Sequence, residues 1–144
     1  MAITLKGVMQ APVTPLKDDF SFDGDGFAKM VDFHVRHGAP AIAWPHHKAE
    51  SLNLTIAERK LGAEIAVKTV AGRVPVSIFT GTLSEEDSLD IAQHAQKIGA
   101  DFLRVSGDVE RIFFRQRAGE NRHRHAAGDG LHRDLGAEFA LRNR

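Results

Sequence analysis

The sequence contains no cysteine and no tyrosine. The absence of cysteine excludes disulfides, thiolate nucleophiles and cysteine-based zinc sites. Long apolar runs are absent too, since no stretch approaches the roughly 18 residues of a membrane-spanning helix. The N-terminal residues lack the basic segment and apolar core of a secretory signal. We therefore expect a cytoplasmic protein that has no membrane partner.

The chain carries no excess of charge of either sign. Its 19 basic and 19 acidic side chains give a net charge of zero, whereas a nucleic-acid partner usually requires a basic surface. No phosphate-binding loop of the GxxxxGK type occurs. The sequence therefore predicts no nucleic-acid partner, no metal and no cofactor. An apolar content of 42% and a charged content of 26% are typical of a globular domain.

Lysine does not occur after residue 97. All seven lysines lie at or before Lys97, whereas eight of the twelve arginines lie at or after Arg111. Such a change in basic-residue usage marks a boundary. We predict an α/β domain over residues 1–107, a fourth helix over residues 108–118, and a tail rich in arginine, histidine and glycine over residues 119–144.

Short apolar runs recur about every 30 residues, starting near residues 8, 41, 74 and 101. Each run ends at a turn and is followed by a helical pattern or its start, which is typical of parallel βα units. The spacing predicts an α/β fold of about four such units. They form either part of a (β/α)8 barrel, which takes about 250 residues when complete, or a small doubly wound sheet.

Capping residues mark where three of the helices begin. Asp25 is predicted to cap the first helix and Ser84 the third. Thr55, with Glu58 three residues later, forms the capping-box pattern of the second. The buried face of the second helix is predicted from large apolar residues at rough helical spacing: Ile56, Leu61, Ile65 and Val70.

The densest group of reactive side chains follows the apolar run at residues 41–44: His46, His47, Lys48, Glu50 and Ser51. This group lies at a strand-to-helix corner, and the carboxyl ends of parallel strands are where α/β proteins place their chemistry. Thr14 and Thr80 follow two other predicted strands. We expect these two hydroxyls to lie at the same edge and to line a substrate site.

Four interpretations of this corner stay open. His46, His47 and Lys48 supply cationic donors for a carboxylate, or Lys48 is an amine nucleophile activated by desolvation or a nearby cation. In the third interpretation, His46, His47 and Glu50 bind a metal, although adjacent histidines normally point apart. In the fourth, the residues form a polar loop in which Glu50 accepts hydrogen bonds from backbone amides at the helix start.

Short segments in order along residues 7–107 resemble the dihydrodipicolinate synthase/N-acetylneuraminate lyase family of class I aldolases. The segments that carry the resemblance include APVTPLKDD from residue 11, ESLNLT from residue 50, AGRVPV from residue 71 and GAD from residue 99. The resemblance implies a (β/α)8 barrel that joins or splits pyruvate and an aldehyde through a Schiff base. It also implies a lysine on the sixth strand, a proton-relaying tyrosine near the fourth, and GTTGE threonines that hold the pyruvate carboxylate.

This sequence departs from the family pattern at each catalytic feature. The GTTG positions are occupied by His46, His47, Lys48 and Ala49, the chain has no tyrosine, and no lysine follows Lys97. We therefore expect no complete catalytic set and no turnover by this chain, with a 2-oxo acid as its small-molecule partner. The change in character after residue 107 suggests a reading-frame change or a gene truncation, which sequencing of the locus would test.

An alternative to an enzyme remnant is a non-catalytic half-barrel. In that hypothesis the chain self-associates, or pairs with an intact homologue, through strand edges. The predicted strands near residues 8–13 and 102–105 would be unpaired at those edges, and one face of the sheet would lack its covering.

Overall fold

The computed structural model describes residues 6–105 and 111–114. The elements in chain order are α1 (Gly24–Arg36), β1 (Ile42–Trp44), α2 (Ile56–Val70), β2 (Val76–Phe79), α3 (Glu85–Ile98), β3 (Phe102–Val105) and β4 (Arg111–Phe114). A single 3₁₀ turn at His47–Ala49 lies between β1 and α2. Within the described residues, no helix is both long and apolar enough to cross a membrane.

The four strands form one sheet in the order β1-β2-β3-β4. The pairs β1–β2 and β2–β3 are parallel, and α2 and α3 provide the crossovers between them. This alternation confirms the predicted α/β class, because a parallel pair needs a long connection that a helix usually supplies. It also places the carboxyl ends of β1, β2 and β3 at one edge.

The strand predicted near residues 8–13 is reduced to a single bridge between Gln10 and Ile42. The backbone N–H of Gln10 donates to Ala41 at 3.0 Å, and the N–H of Ala43 donates to Gln10 at 2.7 Å. The next residue on this side of a parallel ladder is Pro12, which has no N–H to donate. The proline therefore explains why the ladder stops after one residue.

The helix predicted over residues 108–118 is wrong where the structure describes it. Residues Arg111–Phe114 form β4, which pairs antiparallel with β3. The segment contains a β-branched residue and two aromatic residues, which favour strand, and it occupies the edge of β3 that was expected to be open. Residues 106–110 and 115–144 lie outside the described part, so the boundary after 107 and the tail over 119–144 remain predictions.

The helix-facing side of the sheet packs around Trp44. Its ring centroid lies 4.2 Å from that of Phe27, and its Nε1–H donates to the carbonyl of Arg59 at 3.2 Å. The stripe predicted on α2 is wrong at Leu61, which is 47% exposed, whereas Val70 is buried and Ile56 and Ile65 pack partly buried against the core. Mostly small residues line the buried face instead, because they let the indole approach the helix backbone: Arg59, Gly62, Ala63, Ala66 and Val70.

The opposite side of the sheet is also buried. Ala43, Ser77, Phe79 and Phe102 are each no more than 6% exposed. The expectation of one uncovered face is therefore wrong for these residues.

The capping predictions are confirmed for two of the three helices. Thr55 and Glu58 form the reciprocal capping box on α2, and the Ser84 hydroxyl accepts from the N–H of Asp87 on α3. The first helix is capped by Asp23, whose carboxylate accepts from the N–H of Gly26 at 2.9 Å. Asp25 lies inside the first turn instead, where its charge interacts favourably with the helix dipole.

Candidate functional site

The candidate site lies where β1 and β2 end. The 3₁₀ turn at His47–Ala49 follows β1, and Thr80 and Gly81 follow β2 directly. The Thr14 hydroxyl donates to the carbonyl of Ala49 at 2.6 Å. The structure therefore brings three separate segments of the chain to this edge, as the sequence predicted.

His46 and Arg104 meet across the end of β2. Arg104 is the register partner of Phe79 on the neighbouring strand, and its Nη1 lies 3.4 Å from Nδ1 of His46. A guanidinium has no acceptor, so Arg104 is the donor in this contact. The imidazole of His46 lies over Phe79, with the ring centroids 5.6 Å apart.

His47 completes what we call the cationic corner, which is named for the Arg104 guanidinium and defined as His46, His47 and Arg104 around the Phe79 ring. The His47 ring centroid is 5.9 Å from that of Phe79, and the residue is exposed. Lys48 is exposed on the same turn. It therefore lacks the enclosed apolar surroundings that a nucleophilic lysine usually has.

In the part of the chain that the structure describes, no backbone amide donates to the Glu50 carboxylate, so that part of the loop interpretation is wrong for the amides at the start of α2. The residue adopts a left-handed backbone conformation with φ 52°, and its carboxylate accepts from the Asn53 side chain at 3.0 Å. The side chains of Thr55 and Glu58 already accept hydrogen bonds from backbone amides at the start of α2. Among the described residues, no three histidine, aspartate or glutamate side chains form a group that would hold a metal ion.

Thr14 and Thr80 lie at the predicted edge but use their hydroxyls on backbone carbonyls. Thr80 is 1% exposed; its N–H and hydroxyl both donate to the carbonyl of Arg104, at 2.8 Å and 3.3 Å. Thr14 ties its loop to Ala49 in the same way. These threonines hold the strand ends and the loop together rather than presenting a donor to solvent.

The side chain of Arg59, on α2, extends to the same edge of the sheet from the helix-facing side. Its Nη2 donates to the carbonyls of Phe79 at 2.9 Å and Gly81 at 3.0 Å, although the residue is only 2% exposed. Its guanidinium carbon lies 5.8 Å from the centroid of the Phe79 ring. Burial lowers the pKa of the Arg59 guanidinium, and the negative charge of Asp87 partly offsets that effect.

Sequence reasoning did not single out Arg104, Phe79 or Arg59. A signal existed for Arg104, because it is the single cation in the apolar run Phe102–Val105. Period-two alternation places it on the same face of β3 as Phe102. Arg59 carried no such signal, since an arginine in the first turns of a helix normally faces solvent.

Comparison with known proteins places this geometry in a family. The Dihydrodipicolinate synthetase family model matches residues 4–105. A 4-hydroxy-tetrahydrodipicolinate synthase of Gluconacetobacter diazotrophicus is 37% identical over 100 residues, which are 69% of this chain and 34% of that protein. One from Bartonella quintana is 36% identical over 101 residues. The chain thus spans about a third of the length of these curated relatives.

Solved structures agree with the sequence match. Dihydrodipicolinate synthase from Aquifex aeolicus superposes with a TM-score of 0.66 at 33% identity, over 70% of this chain and 34% of that one. YagE, an E. coli K12 prophage protein of the dihydrodipicolinic acid synthase family in complex with pyruvate, gives a TM-score of 0.66 at 31% identity over 69% of this chain and 33% of that one. The predicted partial (β/α)8 barrel is confirmed, and the chain belongs to the dihydrodipicolinate synthetase family.

Proposed function

We propose that the cationic corner binds the carboxylate of pyruvate or a related 2-oxo acid. In this proposal the chain belongs to a lyase or aldolase system that works through a Schiff base, and it performs no turnover itself. The observation that carries the proposal is the contact between Arg104 and His46 across the carboxyl end of β2. The pyruvate complex of YagE supports the substrate class.

The chemistry of the corner suits a carboxylate. A guanidinium binds both oxygens of a carboxylate in a planar fork, and a neighbouring imidazole adds a further N–H donor. In the family that the sequence resembles, threonine hydroxyls perform this task at the positions of His47 and Lys48. A charged donor such as the Arg104 guanidinium makes a stronger contact than a hydroxyl, since hydrogen bonds to charged groups contribute about 1.5–3 kcal/mol.

The covalent step lacks its residues in this sequence. A Schiff base needs an amine that is unprotonated at working pH, which proteins obtain by burial or a nearby cation, whereas Lys48 is exposed. The sequence also has no tyrosine to relay protons. We therefore propose binding of the 2-oxo acid without carbon–carbon bond formation or cleavage.

Titration with pyruvate, followed by borohydride reduction and peptide mass spectrometry, tests both parts. We expect saturable binding, recorded by calorimetry, and no pyruvate adduct on Lys48 after reduction. Lactate at the same concentration is the control for a carboxylate that cannot form a Schiff base. An adduct on Lys48 would overturn the non-covalent proposal, and the absence of saturable binding would overturn the binding proposal itself.

A second candidate is the half-barrel that associates with another copy or with an intact homologue. Exposed apolar side chains on loops flanking the strand ends favour it: Phe20 is 82% exposed, Leu52 68% and Leu83 98%. Light scattering after size-exclusion chromatography measures whether the chain is a monomer or a dimer. We expect a discrete dimer whose mass falls to that of a monomer when Leu52 and Leu83 are both replaced by serine. A monodisperse monomer of the unchanged chain would exclude self-association.

A further inference from the structure

We infer that Arg59 is a positioning residue for the cationic corner, acting from the buried side of the sheet. The inference rests on the proposed function for its consequence in 2-oxo acid binding. The structural part of the inference does not depend on that function. The Arg59 guanidinium holds the backbone at the end of β2 in place, and it also holds the Phe79 ring against which His46 and His47 pack.

The hydrogen bonds of Arg59 bracket Thr80. One nitrogen, Nη2, contacts the carbonyl oxygen before Thr80 at 2.9 Å and the one after it at 3.0 Å. Two oxygens that share one donor are at most about 6 Å apart, whereas carbonyls two residues apart in an extended strand are separated by about 6.6 Å. The two carbonyl oxygens are therefore closer together than in a regular strand, and the shared donor stabilises this backbone conformation on both sides of Thr80.

The Phe79 ring contacts both Arg59 and the two imidazoles. The guanidinium carbon of Arg59 is 5.8 Å from the ring centroid, and the centroids of His46 and His47 are 5.6 Å and 5.9 Å from it. A cation over an aromatic ring is attracted to the ring's negative face. This attraction restrains the ring, and the ring in turn restrains the two imidazoles.

The same backbone segment also contacts Arg104. Thr80 lies between the two carbonyls that Arg59 binds, and both its N–H and its hydroxyl donate to the carbonyl of Arg104. A change in the Phe79–Gly81 backbone therefore moves the point on β3 from which the Arg104 side chain departs. All three side chains of the cationic corner are thus linked to Arg59 through Phe79 or Thr80.

A purely space-filling role does not account for an arginine at this position. The residue is 2% exposed, and burying a guanidinium costs desolvation free energy that methionine of similar length would not incur. The hydrogen-bonding partners found for its side chain are backbone carbonyls at the site edge. Holding those carbonyls in position is a function that would offset the desolvation free energy of the buried guanidinium.

The test compares Arg59→Met and Arg59→Lys with Lys68→Met, which removes an exposed cation from the same helix. Imidazole carbon–proton correlations of His46 and His47 are recorded without ligand, after assignment with His46→Gln and His47→Gln. We expect both signals to shift in Arg59→Met, to shift less in Arg59→Lys, and to stay in place in Lys68→Met. We also expect pyruvate affinity to fall about fivefold in Arg59→Met.

The ligand-free spectra separate this inference from the proposed function. If the unchanged protein fails to bind pyruvate while the imidazole signals shift as expected, the binding proposal fails and the positioning role of Arg59 stands. If folded Arg59→Met and Arg59→Lys both keep the signals of the unchanged protein, the positioning role is overturned whatever pyruvate does. If Arg59→Met does not fold, the spectrum of Arg59→Lys decides alone.

Discussion

Replacing Gly62 by alanine is expected to destabilise the protein by about 1–3 kcal/mol, the usual cost of forcing an extra methyl group into a packed core. In an exposed helix the same replacement would stabilise by about 1 kcal/mol, because glycine is the poorer helix former. The two effects have opposite signs, so the sign of the measured change identifies which one dominates at this position.

Geometry favours the destabilising effect. A Cβ atom built on Gly62 would lie 2.5 Å from Cε2 and Nε1 of the Trp44 indole. The indole has little freedom to move, because it is fully buried and its ring packs against Phe27. Relief of the clash therefore requires α2 to move away from the sheet, which opens the contact on which the core depends.

Denaturant unfolding followed by the fluorescence of Trp44, the single tryptophan of the chain, measures this change. Lys68→Ala on the exposed side of α2 is the control, and we expect its midpoint to stay close to that of the unchanged protein. A double-mutant cycle with Trp44→Leu, followed by circular dichroism, isolates the contact. Gly62→Ala should be neutral or stabilising in that background; an equal loss in both backgrounds would rule out the indole as the cause.

Replacing Arg104 by methionine is expected to weaken pyruvate binding by at least about tenfold, which corresponds to about 1.5 kcal/mol for a hydrogen bond to a charged group. Arg104→Lys should recover part of the loss, because lysine keeps the charge but not the planar fork. Calorimetric titration at constant ionic strength gives both values. Comparing the pyruvate affinities of the two variants separates the contribution of the positive charge from that of the two-point contact between guanidinium and carboxylate.

Arg36→Met provides the matched control, since Arg36 is an exposed arginine on α1 that pairs with Asp32. We expect this variant to bind pyruvate as the unchanged protein does. Equal weakening in both variants would mean that the effect reflects overall charge. Undiminished binding in Arg104→Met would place the carboxylate somewhere other than the cationic corner.

The parts of the fold that sequence predicted well depend on contacts close in the chain. The capping box needs only Thr55 and Glu58, which are three residues apart, and its geometry is as predicted. The strand-to-helix corner after residue 44 was likewise marked by residues that adjoin it. Such features are local, so a single sequence contains all the information that specifies them.

The features that were missed depend on distant residues. The buried stripe of α2 contains Gly62 and Ala63 because Trp44, on β1, occupies the space that larger side chains would need. Arg59 is buried because its acceptors, the carbonyls of Phe79 and Gly81, lie at the end of another strand. Neither partner can be identified from the helix sequence, so apolar periodicity alone placed Leu61 on the buried face and missed Arg59 and Gly62.

The antiparallel pairing of β4 with β3 has a consequence for complementation by a separate fragment. In a closed (β/α)8 barrel, the strand that follows β3 would pair with it in parallel. Here the ladder groups on that edge of β3 already bond to β4, so an added fragment must first displace β4. Reconstitution by a supplied C-terminal fragment should therefore be limited by the rate at which β4 dissociates, and this rate should not rise with fragment concentration once the fragment is in excess.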